Sequence, residues 1–227
     1  MTNLAFHNDP QLAVTVRDQV AAHTAADEII QGKYWENGKG CFIGCIAHGS
    51  SPTVVEQMTG FPIMLTKIAE SIFEGLPNDV AKGFPKRVIE AASVGADLSL
   101  VSWKFLYWLV DDVLTEHADD KTRAACSPAL DIVAAKSQGE EISSDAAAHA
   151  AADAARAAAH AARAAAHAAR AAAHAAADAA RAAAHAAADA AADAAADAAA
   201  DAAHAAAHAA ARIRQADRLV ELLAAAI

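Results

Sequence analysis

The sequence predicts an all-α protein: a small helical globular domain followed by one very long Ala-rich helix. Three observations carry this expectation. From Asp145 to Arg212 only Ala, Asp, Arg and His occur, with a polar residue at every third or fourth position. No Gly or Pro lies between residue 140 and the C-terminus, and Ala is the strongest helix former. Before residue 140 the apolar residues recur at helical spacing, with no period-two run that would indicate strands. The organisation read from these patterns is a helical domain over 1–138, a hinge and helix cap over 139–144, an Ala-rich rod over 145–212, and an amphipathic docking end over 213–227.

In chain order, residues 1–10 read as an irregular arm ended by Asp9-Pro10. Leu12, Val16, Val20 and Ile29/Ile30 predict an amphipathic helix from Gln11 to Gln31, stopped by Gly32. The Gly- and Asn-rich segment 34–40 is a turn that delivers the chain into a short helix over 41–48, closed by Gly49. Ser51-Pro52 is a hydroxyl cap with Pro in the first turn, so a helix starts there and ends at Gly60. Pro62 opens another helix, with Ile63, Leu65, Ile68, Ile72 and Phe73 apolar. A helix over 79–92 is shortened or split by Gly83 and Pro85. Leu98 to Leu114 is apolar on nearly all sides and predicts a central, buried helix. A helix over about 119–136 contains Pro128, and Gln138-Gly139 is the hinge before the Ser143/Ser144/Asp145 cap.

The rod would span on the order of 120 Å at ~1.5 Å per residue if it ran straight to the C-terminus. Its polar residues recur every ~3.7 positions, which favours a straight or slightly right-handed course. The polar stripe rolls toward another face at the ladder Asp189, Asp193, Asp197 and Asp201. Most of the circumference is bare methyl, which suits close self-association although each methyl contributes below ~1 kcal/mol. Ile213, Ala216, Leu219, Val220, Leu223 and Ile227 then form an ordinary apolar face. A straight rod holds that face far from its own domain, so the expectation is docking on another chain, most economically in an antiparallel homo-oligomer.

The net charge of −10 argues against sequence-independent nucleic-acid binding, which needs clustered Lys and Arg. No apolar segment is long enough to span a membrane, and Met1 to Gln11 lacks the basic and apolar regions of a signal peptide. Three cysteines make no disulfide framework, so a reducing, cytoplasmic setting is the expectation.

Cys41, Cys45 and His48 stand at i, i+4 and i+7, on one face of the short helix. Cys41 at the helix start would have its thiol pKa lowered by the dipole, as in thiol nucleophiles with His48 as base. The same three residues could supply three ligands to zinc. The plainer reading makes both cysteines small core residues and His48 a hydrogen-bonded helix end. On the rod, Asp201, His204 and His208 share a face at ligand spacing, as do Asp145, His149 and Asp153, although a solvated polar stripe is the plainer reading of both. His160, His167 and His174 recur every seven residues, too far apart for one ion. No phosphate loop, Ser elbow or paired CxxC occurs, and no organic cofactor is expected.

Four strings stand together with the Ala-rich tail: Gly38-Lys39-Gly40-Cys41 with Gly44-Cys45 and His48, Phe73-Glu74-Gly75-Leu76-Pro77, Val94-Gly95-Ala96-Asp97-Leu98-Ser99, and Arg214-Gln215-Ala216-Asp217. In these the chain resembles a group of bacterial and phage-associated proteins with Ala-rich tails of variable length, a resemblance that implies no activity. Those relatives carry Trp and Glu in the tail, where this chain has His and Asp. The rod is also superficially similar to Ala-rich ice-binding helices, but it has no Thr in 145–212. Two functions remain open at this level: a structural or interaction protein built on the rod, and an enzyme or metal protein built on Cys41, Cys45 and His48.

Overall fold

The computed structural model describes residues 3–117, 120–141 and 189–227. It is all-α apart from one very small hairpin. The chain forms two compact units: Met1–Leu109 with Val133–Ile142 and Arg212–Ile227, and Val110–Ile132 with Ser143–Ala211.

In the first unit, α1 (Pro10–Ala25) starts where Pro10 presets the first turn and the Asp9 carboxylate accepts from the N–H groups of Gln11 (2.8 Å) and Leu12 (3.2 Å). A hairpin follows, β1 (Trp35–Glu36) paired with β2 (Lys39–Gly40). Its two-residue turn places Asn37 and Gly38 both at positive φ, the Asn-Gly turn that suits hairpin twist. This corrects the expectation of no strands: two-residue strands are too short to show alternation, and the Asn-Gly pair is their only local signal. The hairpin leads into α2 (Phe42–Ala47), α3 (Pro52–Thr59), α4 (Ile63–Gly75), α5 (Asn78–Ala81) and α6 (Phe84–Ala91). As the sequence indicates, Ser51 caps α3, and a break between Ala81 and Phe84 separates α5 from α6.

α1 packs against α2, α3 and α6, and α4 closes the other side of α2 and α3. Phe42, Phe61, Phe73 and Phe84 are fully buried between them. The N-terminal arm is also part of this core. Ala5 and Phe6 are fully buried, Leu4 bridges Asp97, and Phe6 lies 6.0 Å from the Phe61 ring with Arg17 over its face. Phe6 and His7 hold positive φ, a strained backbone that the backbone bonds Ala5 N to Ala96 O (2.8 Å) and Gly95 N to Ala5 O (2.9 Å) help to fix.

α7 (Val101–His117) buries Val101, Ser102 and Phe105, but Trp103 and Trp108 are half-buried and Tyr107 is 37% exposed. All-round burial is thus not observed: bulky aromatics can bury a ring while their polar tips stay wet. α8 (Asp120–Ser137) runs through residue 128 and is followed by a turn at Gly139, whose φ is +86°.

α9 (Asp189–Ala224) is one unbroken helix of 36 residues. Its last turns belong to the first unit. Ala216, Leu219 and Leu223 are fully buried in the core, with Ile213, Val220 and Leu222 packed against it. Asp217 takes an ion pair from Arg87 at 2.6 Å, and the Ile227 carbonyl accepts from Asp97 N at 3.1 Å. Arg212 crosses the bare Cα of Gly75, where a Cβ would fall 2.5 Å from its Nε. The docking end is therefore docked on its own chain, and the expected contact with another subunit's domain is corrected. The reason is that an apolar face needs covering but does not specify its cover, and here the core of the first unit supplies it. Of the six residues of that apolar face, only Ile227 is fully exposed. Residues 142–188 lie outside the described residues, and with them the Ser143/Ser144/Asp145 cap and the rod from 145 to 188, including His149, Asp153, His160, His167 and His174.

Truncating Leu219 to Ala should lower unfolding free energy by about 2–5 kcal/mol, whereas Ile227→Ala should change it by less than ~0.5 kcal/mol. Urea denaturation at two protein concentrations checks both. Equal effects at the two positions would contradict this docking.

Candidate functional site

The chemistry of the first unit gathers at the two ends of α2. This helix has only six residues, too few to stand on propensity, so neighbouring elements must satisfy its ends. The hairpin lies directly on it. A Cβ at Gly44 would sit 1.5 Å from the Tyr34 carbonyl oxygen, so only glycine lets that carbonyl cross the helix.

At the start of α2, Glu70 of α4 accepts from Ile43 N–H at 3.0 Å. Cys41 is the first cap residue, and its thiol faces Glu70 and the Tyr34 carbonyl, 3.8 Å away. Burial first, and then the Glu70 carboxylate, push this thiol up to about 12. Cys45 is fully buried, donates to the Phe42 carbonyl at 3.2 Å, and is raised further, again chiefly by burial. The expected dipole effect is thus overridden: loss of hydration outweighs the partial charge of a very short helix. Burial also raises the Glu70 carboxyl, with Glu74 adding to it, against the lowering bonds from Cys41 and Ile43.

Cys41 Sγ, Glu70 and Glu74 bring ligand atoms within 4.8 Å of one another. Both carboxylates are nevertheless committed to the backbone, Glu70 to Ile43 and Glu74 to Gly32 N at 2.9 Å. Cys41, Cys45 and His48, which the sequence set side by side, are not brought together as ligands among the described residues. Asp201 and His204 lie where side chains are outside the description, and His208 is exposed on α9.

At the other end of α2, His48 is the cap residue in the left-handed conformation, with φ 48°. Its ring stacks on Trp35 of β1, centroids 4.4 Å apart and planes 23° apart. His23 of α1 meets both rings edge-on, at 5.3 Å from Trp35 and 5.2 Å from His48. His23 Nε2 and His48 Nε2 are 3.0 Å apart, and His23 Nδ1 is 2.6 Å from the Glu28 carboxylate. One turn earlier on the same face of α1, Gln19 donates to the carbonyls of Cys45 and Ile46, both at 2.8 Å. Gln19 thus satisfies terminal carbonyls at the C-terminal end of α2, while His23 meets the side chain of its cap residue.

The result is an array of Glu28, His23, His48 and Trp35 joined across three sequence-distant elements. One proton is shared between the two Nε2 atoms, so the pair cannot hold two charged rings without losing its bond. Accordingly His48 is held below the usual imidazole range, first by burial and then by His23, with Glu28 opposing. His23, Glu28, Trp35, Glu70 and Glu74 were not legible in the sequence. Their spacing along the chain matches no motif, and only the hairpin's Asn-Gly turn hinted that Trp35 would fold back.

No family model, curated protein or solved structure matches the chain. Among the described residues, no helix is long and apolar enough to cross a membrane.

Two measurements test this geometry. Peptide mapping after iodoacetamide treatment at neutral pH should find Cys41 and Cys45 unmodified in the folded protein and modified after denaturation. Labelling of folded Cys41 would contradict its raised pKa. For His48, the unfolded chain binds the proton at higher pH than the folded one, so stability falls as pH drops through about 6.5 and is full above it. The urea midpoint should therefore be lower at pH 5.5 than at pH 7.5, and His48→Gln should remove part of that difference.

Proposed function

We propose that this is a structural or interaction protein: a helical domain that anchors an Ala-rich segment, which mediates self-association or spacing. The observation that carries the reading is the continuity of α9. The Asp ladder and the His204/His208 repeat run without a break into turns whose Ala216, Leu219 and Leu223 are fully buried. A segment built almost wholly of Ala has little apolar area per residue with which to hold itself in place. Fastening its flanks into a core supplies the anchorage that its own composition lacks. Its methyl faces then permit close packing against a second such segment, each contact weak and the sum useful only over many turns.

A second function class, thiol chemistry at Cys41, has no observation in its favour, because both described thiols are buried and raised.

Sedimentation equilibrium of the full chain at micromolar concentration should give a mass above that of the 23.2 kDa single chain. Placing Glu at Ala158, Ala165 and Ala172 should return it toward the single-chain mass while far-UV circular dichroism stays helical. A single-chain mass for the native protein throughout the concentration range would sink the self-association reading.

A further inference from the structure

We propose that His23 and His48 form a binding site for a borderline divalent transition-metal ion, of the zinc, nickel and copper class. The ion would be held by the Nε2 atoms of both rings, with Glu28 as outer carboxylate. This inference stands apart from the role of the Ala-rich segment and uses none of the residues that anchor it.

The geometry is that of a two-nitrogen ligand pair. Two imidazole nitrogens at about 2.0–2.1 Å from a tetrahedral ion lie about 3.3 Å apart, close to the observed 3.0 Å, and binding also turns the two rings, which aim at one another, until both Nε2 lone pairs meet at the ion. The two rings come from separate, firmly held elements, α1 and the end of α2, so the pair is preformed. His23 also has the outer partner typical of metal-binding imidazoles. Its Nδ1 contacts the Glu28 carboxylate at 2.6 Å, which favours the tautomer that leaves the Nε2 lone pair for a ligand.

Trp35 supplies the third element of the design. Stacked on His48, it limits that ring to one plane and walls one side of the site with apolar surface. His48 itself is exposed, so an ion has a path in, while the His23 side chain retains 12% of its exposure. His48 occupies a left-handed cap position, where glycine is the usual residue. On binding, the ion takes the place of the proton between the rings, and that proton passes through water to His48 Nδ1, so His48 stays neutral and no net proton is released. No electron transfer or co-reactant is involved. With two protein ligands, the remaining positions belong to water or to a small anionic ligand, and imidazole donors select the zinc, nickel and copper class over magnesium or calcium.

The test uses the full chain, labelled with ¹⁵N, and Cu²⁺ alone as a paramagnetic probe. The protein has three tryptophans, hence three indole N–H signals, and Trp35→Phe assigns one of them. Cu²⁺ at this site should broaden the Trp35 indole signal at concentrations that leave those of Trp103 and Trp108 intact. His48→Gln and His23→Gln should abolish that selectivity, and His208→Ala should leave it unchanged. Glu28→Gln keeps both ligands and should raise the Cu²⁺ needed by about 10–100-fold, a response that a purely structural hydrogen bond would not produce. Should either His variant fail to fold, Glu28→Gln decides. Simultaneous loss of all three indole signals, survival of the Trp35 signal in excess Cu²⁺, or an unchanged Glu28→Gln titration would each overturn the proposal.

Discussion

The first unit depends on one act of burial: the end of α9 enters its core and is covered there. Ala216, Leu219 and Leu223 have no exposed surface, and they complete a cluster otherwise built from α1 to α7 and the N-terminal arm. At roughly 25 cal/mol per Å² of apolar surface, two fully buried leucines contribute several kcal/mol, which is a large share of a typical domain's stability. The ion pair Arg87–Asp217 is half-exposed on both sides and adds register more than energy. Because these residues close the core, the fold of the N-terminal part and the placement of the chain's far end are one problem.

α2 is the second dependency, and it works differently. Six residues cannot repay the cost of nucleating a helix, so α2 exists because other elements complete its ends. Glu70 covers its first N–H groups, Gln19 covers its last carbonyls, and the hairpin presses on Gly44. Side chains recruited for that purpose arrive in pairs with unusual chemistry. Cys41 meets Glu70, and His48 meets His23. The first pair is dry, and its chemistry is suppressed by burial. The second reaches solvent through the exposed His48, which is where binding of an ion is proposed.

The two ends of α2 also show how burial chooses among readings that sequence spacing leaves equal. Cys41, Cys45 and His48 at i, i+4 and i+7 are compatible with a nucleophile, a zinc site or plain core. Desolvation of both thiols favours the protonated form by an amount that a short helix dipole does not offset. The histidine, at the cap where the chain turns away from the core, is more exposed, and burial there acts in the opposite direction by favouring the neutral ring.

What the sequence determined by itself was local and periodic. The cap at Ser51, the punctuation at Pro62 and Gly83, the all-α class and the helical character of the Ala-rich end all follow from short-range rules, in which each residue's preference is expressed within one or two turns. The hairpin escaped because its strands are shorter than the alternation that betrays strands, and the buried arm because left-handed Phe6 has no composition signal. Tertiary structure alone decided where the Leu-rich end docks, since an apolar face specifies that it will be covered but not by which surface. It likewise decided the partners of His48, because His23 and Glu28 lie on a separate stretch of chain and reach it only through the packing of α1 on α2. Long-range contact is set by the shape of the whole core, and no local pattern of residues encodes it.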